Sequence, residues 1–419
     1  MTVQVTRLKN GMRVLTDRMD SVETVSLGIW VDVGTRHEPA AVNGIAHVLE
    51  HMAFKGTARR SALAIAAEIE DVGGQLNAYT AREHTAYFAK VLKQDLPLAV
   101  DIIADILQHS TFDAAELERE RAVILQEIGQ AQDTPDDIIH DFFQERAFPD
   151  QPIGRPVLGR AEIIRRLDRA TVADYLQRNY GAAGMVLVAA GNCDHALLVA
   201  LAERAFAGLQ AKGAALSEPA RYVGGEYREA RELEQAHVLL GFDGLSAADP
   251  DTYAASVVST ALGGGMSSRL FQEVREKRGL VYTIYSFSQS FSDGGVFGIY
   301  AGTGEAEAAE LMPVLCEEIR KLDGGFRPDE LDRARAQLKA GLLMSLESTG
   351  ARAEQHASHM LIFGKPLDTD DLIRRIDAVD AAAVARVVKR IRAKPPTFAA
   401  LGPIGRVEDY AHLAARLEA

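Results

Sequence analysis

His47, Glu50 and His51 fall within the five-residue run His47-Val48-Leu49-Glu50-His51. The stretch Asn43–Lys55 reads as a helix, where positions i and i+4 share a face, so both imidazoles aim at one point. Two neutral imidazoles suit a zinc ion. Glu50 lies beside them, and a carboxylate next to a metal but outside its ligand set can take a proton from bound water. The flanking residues Ile45, Ala46, Val48, Leu49, Met52, Ala53 and Phe54 are apolar or small. Much of the helix is therefore core, and its polar residues need partners. A zinc site also needs a third protein ligand. The helical run Glu116–Gln130 (ELERERAVILQEIGQ) supplies candidates. Glu120 and Glu127 are two helical turns apart and share a face. Glu127 follows Val123-Ile124-Leu125 and would be costly to bury unless paired or ligating. Glu127 is the expected third ligand, and Glu120 the carboxylate that orients a ligand or a water. The same His₂Glu set also accepts Co²⁺ or Mn²⁺.

Several elements must position these side chains. Val3–Leu8 and Met12–Thr16 flank Asn10-Gly11, a strong hairpin signal. Ser26–Val33 reads as an apolar strand, Ser61–Val72 as a helix stopped by Gly73-Gly74, and Gln75–Thr80 with His84–Val91 as a strand pair. Helices are expected at Gln94–Gln108, Ala114–Ala131 and Asp168–Asn179, and a buried strand at Gly184–Gly191. Two matches suggest an internal duplication. FDAAEL at Phe112–Leu117 pairs with FRPDEL at Phe326–Leu331, and VSLGIWVDV at Val25–Val33 pairs with VLLGFDG at Val238–Gly244. Gly208–Gly225 lacks periodicity and reads as a linker, giving halves of about 1–210 and 226–419. Strands and helices are grouped rather than alternating. The expected class is α+β, two tandem homologous domains, each an antiparallel-rich sheet with helices packed on one face. The second half has no counterpart of the metal ligands: at an offset of 214, His47, His51 and Glu127 fall on Ala261, Gly265 and Gly341.

Three stretches carry a family resemblance. HVLEHMAFKGT at His47–Thr57, LNAYTAREHTAYFAKV at Leu76–Val91 and ERAVILQEI at Glu120–Ile128 resemble the M16, pitrilysin-type, inverted-zincin metallopeptidases. Within that family they look most like the branch of the mitochondrial processing peptidase β subunit and its bacterial relatives. The resemblance covers nearly the whole chain and includes the separation of His51 from Glu127. It implies a zinc endopeptidase with one Zn²⁺ per chain and Glu50 as general base, acting on unfolded peptides or flexible protein segments. It implies a clam-like cavity, with the second half as a lid. There Arg275 and Tyr282 match the family's substrate-binding pair, Tyr282 also reaching the oxyanion. Asn77 and Ala78 lie in the strand to which the peptide adds as a further β-strand. His84 is read as structural. Family members of this size work as homodimers or as heterodimers with a related, sometimes inactive subunit.

Composition excludes other classes. Lys+Arg total 46 against Asp+Glu 59, a net charge of −13, which argues against a nucleic-acid binder and against anionic membrane surfaces. No stretch reaches the ~20 apolar residues of a membrane span. Met1–Leu15 has no apolar signal-peptide core, and two cysteines make no disulfide framework. The expected address is a bacterial-type cytoplasm.

Overall fold

The computed structural model describes residues 3–213 and 217–418, so residues 214–216 of the expected linker lie outside the described residues. The chain forms two compact units. The first comprises 1–129, 155–218 and 344–367, and the second 130–154, 219–343 and 368–419. Each unit thus takes one segment from the other half of the sequence.

The first unit is built on a six-stranded sheet. Its strands are β1 (Val3–Arg7), β2 (Arg13–Arg18), β3 (Thr24–Val31), β4 (Gln75–Thr80), β5 (Thr85–Leu92) and β6 (Met185–Gly191). Their spatial order is β1-β2-β6-β3-β5-β4. β2 and β6 run parallel, and every other pair is antiparallel. The expected hairpin is present, with Val5 opposite Leu15 and Gly11 at φ +91°, a conformation open to glycine. One face of the sheet packs on α1 (Ile45–Ala53), α2 (Ala62–Glu70), α3 (Leu96–His109) and α4 (Ala114–Gln132) in a single apolar core.

The second sheet repeats this plan. β7 (Gly225–Ala230), β8 (Ala236–Asp243), β9 (Val281–Ser290), β10 (Gly295–Thr303) and β11 (Thr397–Gly402) lie in the order β7-β11-β8-β10-β9. That matches β2-β6-β3-β5-β4 strand for strand, down to the one parallel pair. The helix Thr252–Gly263 takes the place of α1, and Pro328–Ser345 that of α4.

The expectation that helices cover one face of each sheet needs correction. All seven residues of β6 and the last seven of β3 are buried, so both faces of the sheet must be covered. The opposite face of the first sheet receives the helix Thr349–Ile362 from the second half, through Ala353, Ala357 and Met360 against Leu15, Trp30 and Val188. Conversely, α5 (Pro135–Ala147) covers the second sheet, with Ile139 and Phe143 against Leu239 and Ala399. Gly241 makes room: a Cβ there would lie 2.4 Å from the Phe143 ring.

Candidate metal centre

α1 is a nine-residue helix whose apolar residues Ile45, Val48, Leu49 and Met52 are all buried. Its N-terminus is set by two features. Gly44, at φ +95°, turns the chain where a side chain would be strained. Glu38, buried itself, then accepts hydrogen bonds from Gly44 N and Ala46 N and from Asn43 Nδ2, each at 2.8 Å. Burial pushes the Glu38 carboxyl up to about 7, against the pull of these donors.

α4 is capped by Asp113, whose carboxylate accepts from Ala115 N at 2.8 Å and Glu116 N at 3.1 Å. Leu117, Glu120 and Ile124 are its buried positions, and Glu127 continues that stripe at the i+3 position.

The two helices bring the expected ligands together. His47 Nε2 lies 3.7 Å and His51 Nε2 3.5 Å from Glu127 Oε2. The imidazole centroids are 4.6 Å apart and the rings nearly perpendicular, at 73°. One ligand atom from each of His47, His51 and Glu127 lies within 4.8 Å of the others. Among the described residues this is the one group of three or more His, Cys, Asp or Glu so arranged. Glu127 Oε2 is buried without a hydrogen-bond partner, a costly state for a carboxylate that a bound cation would relieve. Burial, with His51 adding to it, brings His47 down to about 4, which keeps the imidazole neutral as a ligand must be. The donor set therefore fits zinc.

Outer contacts orient these groups. His51 Nδ1 is 2.9 Å from Glu120 Oε2, which leaves Nε2 turned toward Glu127. Lys55 Nζ pairs with Glu120 Oε1 at 2.7 Å. Thr80, at the end of β4, donates its hydroxyl to Glu50 Oε2 at 2.5 Å. Burial raises the Glu50 pKa; Thr80 and His51 oppose the shift, and Glu127 adds to it.

β4 is an edge strand. Ala81 N donates to His84 O at 2.8 Å, so in antiparallel alternation the backbone groups of Leu76, Ala78 and Thr80 point away from β5, to the free edge. Asn77 Oδ1 accepts from Ala78 N at 2.8 Å. In the second unit the Arg275 guanidinium lies 5.5 Å from the Tyr282 ring centroid and 4.7 Å from that of Phe271. Tyr282 is 72% exposed.

The counterpart helix in the second unit lacks the ligand types of α1. That helix, Thr252–Gly263 (TYAASVVSTALG), carries no His, Cys, Asp or Glu. Gly263 packs directly on β9, where a Cβ would meet Ser286 N at 2.5 Å, and Ser286 Oγ donates to Ser259 O at 2.7 Å.

Sequence reasoning missed Lys55, Thr80 and Glu38. Lys55 was within reach, since it stands at i+4 from His51. Thr80 and Glu38 carry no spacing signal.

Comparison with known proteins agrees with this geometry. Residues 13–161 match the profile of insulinase, peptidase family M16, and residues 166–338 that of the peptidase M16 inactive domain. An uncharacterized zinc protease of Streptomyces coelicolor is 39% identical over 96% of this chain and 90% of its own length. The chain belongs to peptidase family M16. Two further members show the breadth of the match. An uncharacterized zinc protease of Bacillus subtilis is 36% identical over 95% of this chain and 98% of its own length. One of Mycobacterium tuberculosis is 40% identical over 96% and 93%. The M16 fold is shared with a protease from Helicobacter pylori, at TM-score 0.87 and 22% identity over 96% of this chain and 99% of that one. It is also shared with a Pseudomonas fluorescens peptidase M16 inactive domain, at TM-score 0.89 and 21% identity over 97% and 99%.

Proposed function

We propose that this M16 zinc metallopeptidase is an endopeptidase for unfolded peptides and flexible protein segments. The observation that carries the reading is the convergence of His47 Nε2, His51 Nε2 and the otherwise unpartnered Glu127 Oε2, with Glu50 on the same helix. His47, His51 and Glu127 would hold the ion, and Glu120 would orient His51. Bound zinc supplies Lewis acidity, bringing the pKa of a coordinated water toward ~7 and polarising a carbonyl. Glu50 accepts the proton of the attacking water and returns it to the leaving amine. Its raised pKa suits both halves of that task, and Thr80 holds its second oxygen.

The free edge of β4 supports binding of the peptide as an added strand, its main chain meeting Leu76, Ala78 and Thr80, with Asn77 beside it. Such pairing demands an extended substrate, which compact proteins do not offer. Arg275 and Tyr282 are the proposed second-unit substrate contacts, Arg275 on carbonyl groups and Tyr282 on the oxyanion; the exposed Tyr282 phenol is available to a ligand. The net charge of −13 favours basic peptides. No described helix is long and apolar enough to cross a membrane. Both cysteines are free and buried, as a reducing cytoplasm permits. The working form we infer is a homodimer or a pair with a related subunit, as in the processing-peptidase branch.

The test is cleavage of an unstructured basic peptide by wild type and Glu50→Gln, with zinc quantified in both. Cleavage by wild type alone, with zinc in both proteins, is expected. Zinc-free wild type after metal addition overturns the ligand assignment.

A further inference from the structure

The edge strand beside the metal centre is held from behind by a residue of the other half of the sequence. β4 has a neighbouring strand on one side only. Its front is tied to α1, through Leu76 and Ala78 in the core and through Thr80 on Glu50. On its back, Tyr79 donates its hydroxyl to Glu354 Oε1 at 2.5 Å. Trp30 Nε1, on β3, donates to Glu354 Oε2 at 3.1 Å. Glu354 therefore bridges across β5, joining the edge strand to one deeper in the sheet. His84 Nε2, in the β4–β5 turn, lies 3.0 Å from the same Tyr79 hydroxyl.

The helix that carries Glu354 is anchored independently. Asp17 receives Arg352 and His356, each at 2.9 Å, Arg13 Nη1 donates to Met360 O at 2.6 Å, and Ser26 pairs with Thr349 at 2.8 Å. All of these contacts lie on β2 and β3. Tyr79 is the β4 side chain hydrogen-bonded to this helix. Glu354 is 42% exposed at its side chain, so it fills no core volume whose loss would unfold the unit.

We propose that Glu354 is a positioning residue for the substrate. Through Tyr79 it holds β4 in the extended form to which a peptide strand adds. The inference rests on the strand-addition reading above. An edge strand with one partner frays, and each residue that must be ordered on binding weakens the complex. A strand already fixed on both faces offers its outward-facing backbone groups in line.

The test uses full-length Glu354→Ala, Glu354→Gln, Tyr79→Phe and the Glu354→Ala/Tyr79→Phe double variant. Two readouts are peptide kinetics and amide hydrogen exchange at Asn77 and Tyr79, whose backbone groups face β5. Glu354→Ala should raise KM about fivefold, with a smaller change in kcat, and leave zinc content at the wild-type value. Exchange at the two amides should quicken by about tenfold. Tyr79→Phe, which also removes the hydroxyl's contacts with His84 at 3.0 Å and Trp30 at 3.3 Å, should do at least as much, and the double variant should fall well short of the sum of the two, because both singles remove the Tyr79–Glu354 bond. Glu354→Gln keeps one acceptor oxygen and should fall between wild type and Glu354→Ala. Wild-type KM and exchange in Glu354→Ala would overturn the proposal, as would additive effects in the double variant. Asp17→Asn loosens the same helix without touching Tyr79. If it moves KM and β4 exchange as far as Glu354→Ala does, Glu354 has no positioning role. If wild type cleaves no peptide, the peptidase reading fails, while the exchange data still decide whether Glu354 orders β4.

Discussion

Thr80 and Glu50 are 30 positions apart in sequence, yet the threonine hydroxyl donates to the glutamate at 2.5 Å. The bond leaves one carboxylate oxygen committed and the other free to exchange a proton. It also ties the proposed base to the strand proposed to receive the substrate. Thr80→Val should therefore lower kcat about three- to tenfold while zinc content stays at the wild-type value. Thr80→Ser should restore most of it. Unchanged turnover in the valine variant would show that Glu50 is placed without this bond.

The chain Lys55–Glu120–His51 predicts a graded series of metal affinities. Glu127→Gln removes a proposed ligand and should abolish tight zinc binding. Glu120→Gln removes the partner of His51 Nδ1 and should cost about 10- to 100-fold in affinity. Lys55→Met acts one contact further out and should cost less, about threefold. Competition with a chromogenic chelator measures all three. A larger loss in Lys55→Met than in Glu120→Gln would mean that Lys55 does not work through Glu120.

Glu38 makes α1 sensitive to pH. Its folded pKa of about 7 lies above the ordinary 4.5, so between those values the folded protein holds a proton that the unfolded chain releases. This group's contribution to stability is complete below about pH 4.5 and is lost as pH rises toward 7, by up to about 3 kcal/mol. Glu38→Gln removes that loss. Urea unfolding at pH 5 and pH 8 should show the glutamine variant gaining on wild type at the higher pH. The reverse trend would mean that the three N–H donors outweigh burial.

Asp17 predicts the opposite slope. Burial works to raise its carboxyl, but His356 and Arg352 hold it below the ordinary 3.8. Its contribution is present above about pH 4 and is lost as pH falls through the depressed folded value. Asp17→Asn should destabilise the protein by about 3 kcal/mol at neutral pH, since it leaves two buried partners short of a charge. The gap between the variants should close in acid. A constant gap down to pH 2 would show that packing, and not charge, is what the substitution removes.

Much of the metal centre was legible from local pattern. The His47–His51 spacing and the Glu120–Glu127 spacing depend only on helical repeat, and both helices form where the apolar residues call for them. The same holds for the β4–β5 pair and for the first hairpin. The repeated unit was legible too, because duplicated strands keep their turn and apolar signals. α5 was not legible: PDDIIHDFFQERA is polar on most positions, and its few apolar residues do not say which sheet they cover.

The sequence by itself determined which residues could bind a metal and which helices carry them, because backbone periodicity puts i and i+4 on one face whatever the rest of the chain does. Only the tertiary structure decided who supports them. Thr80 on Glu50, Lys55 on Glu120, Glu38 at the α1 terminus and Glu354 behind β4 are contacts set by how packed elements meet. Two of them, Thr80 with Glu50 and Glu354 with Tyr79, join residues 30 and 275 positions apart. No repeat along the chain encodes such a meeting. The second follows from the burial of both faces of a sheet, which draws a helix of one half onto the strands of the other.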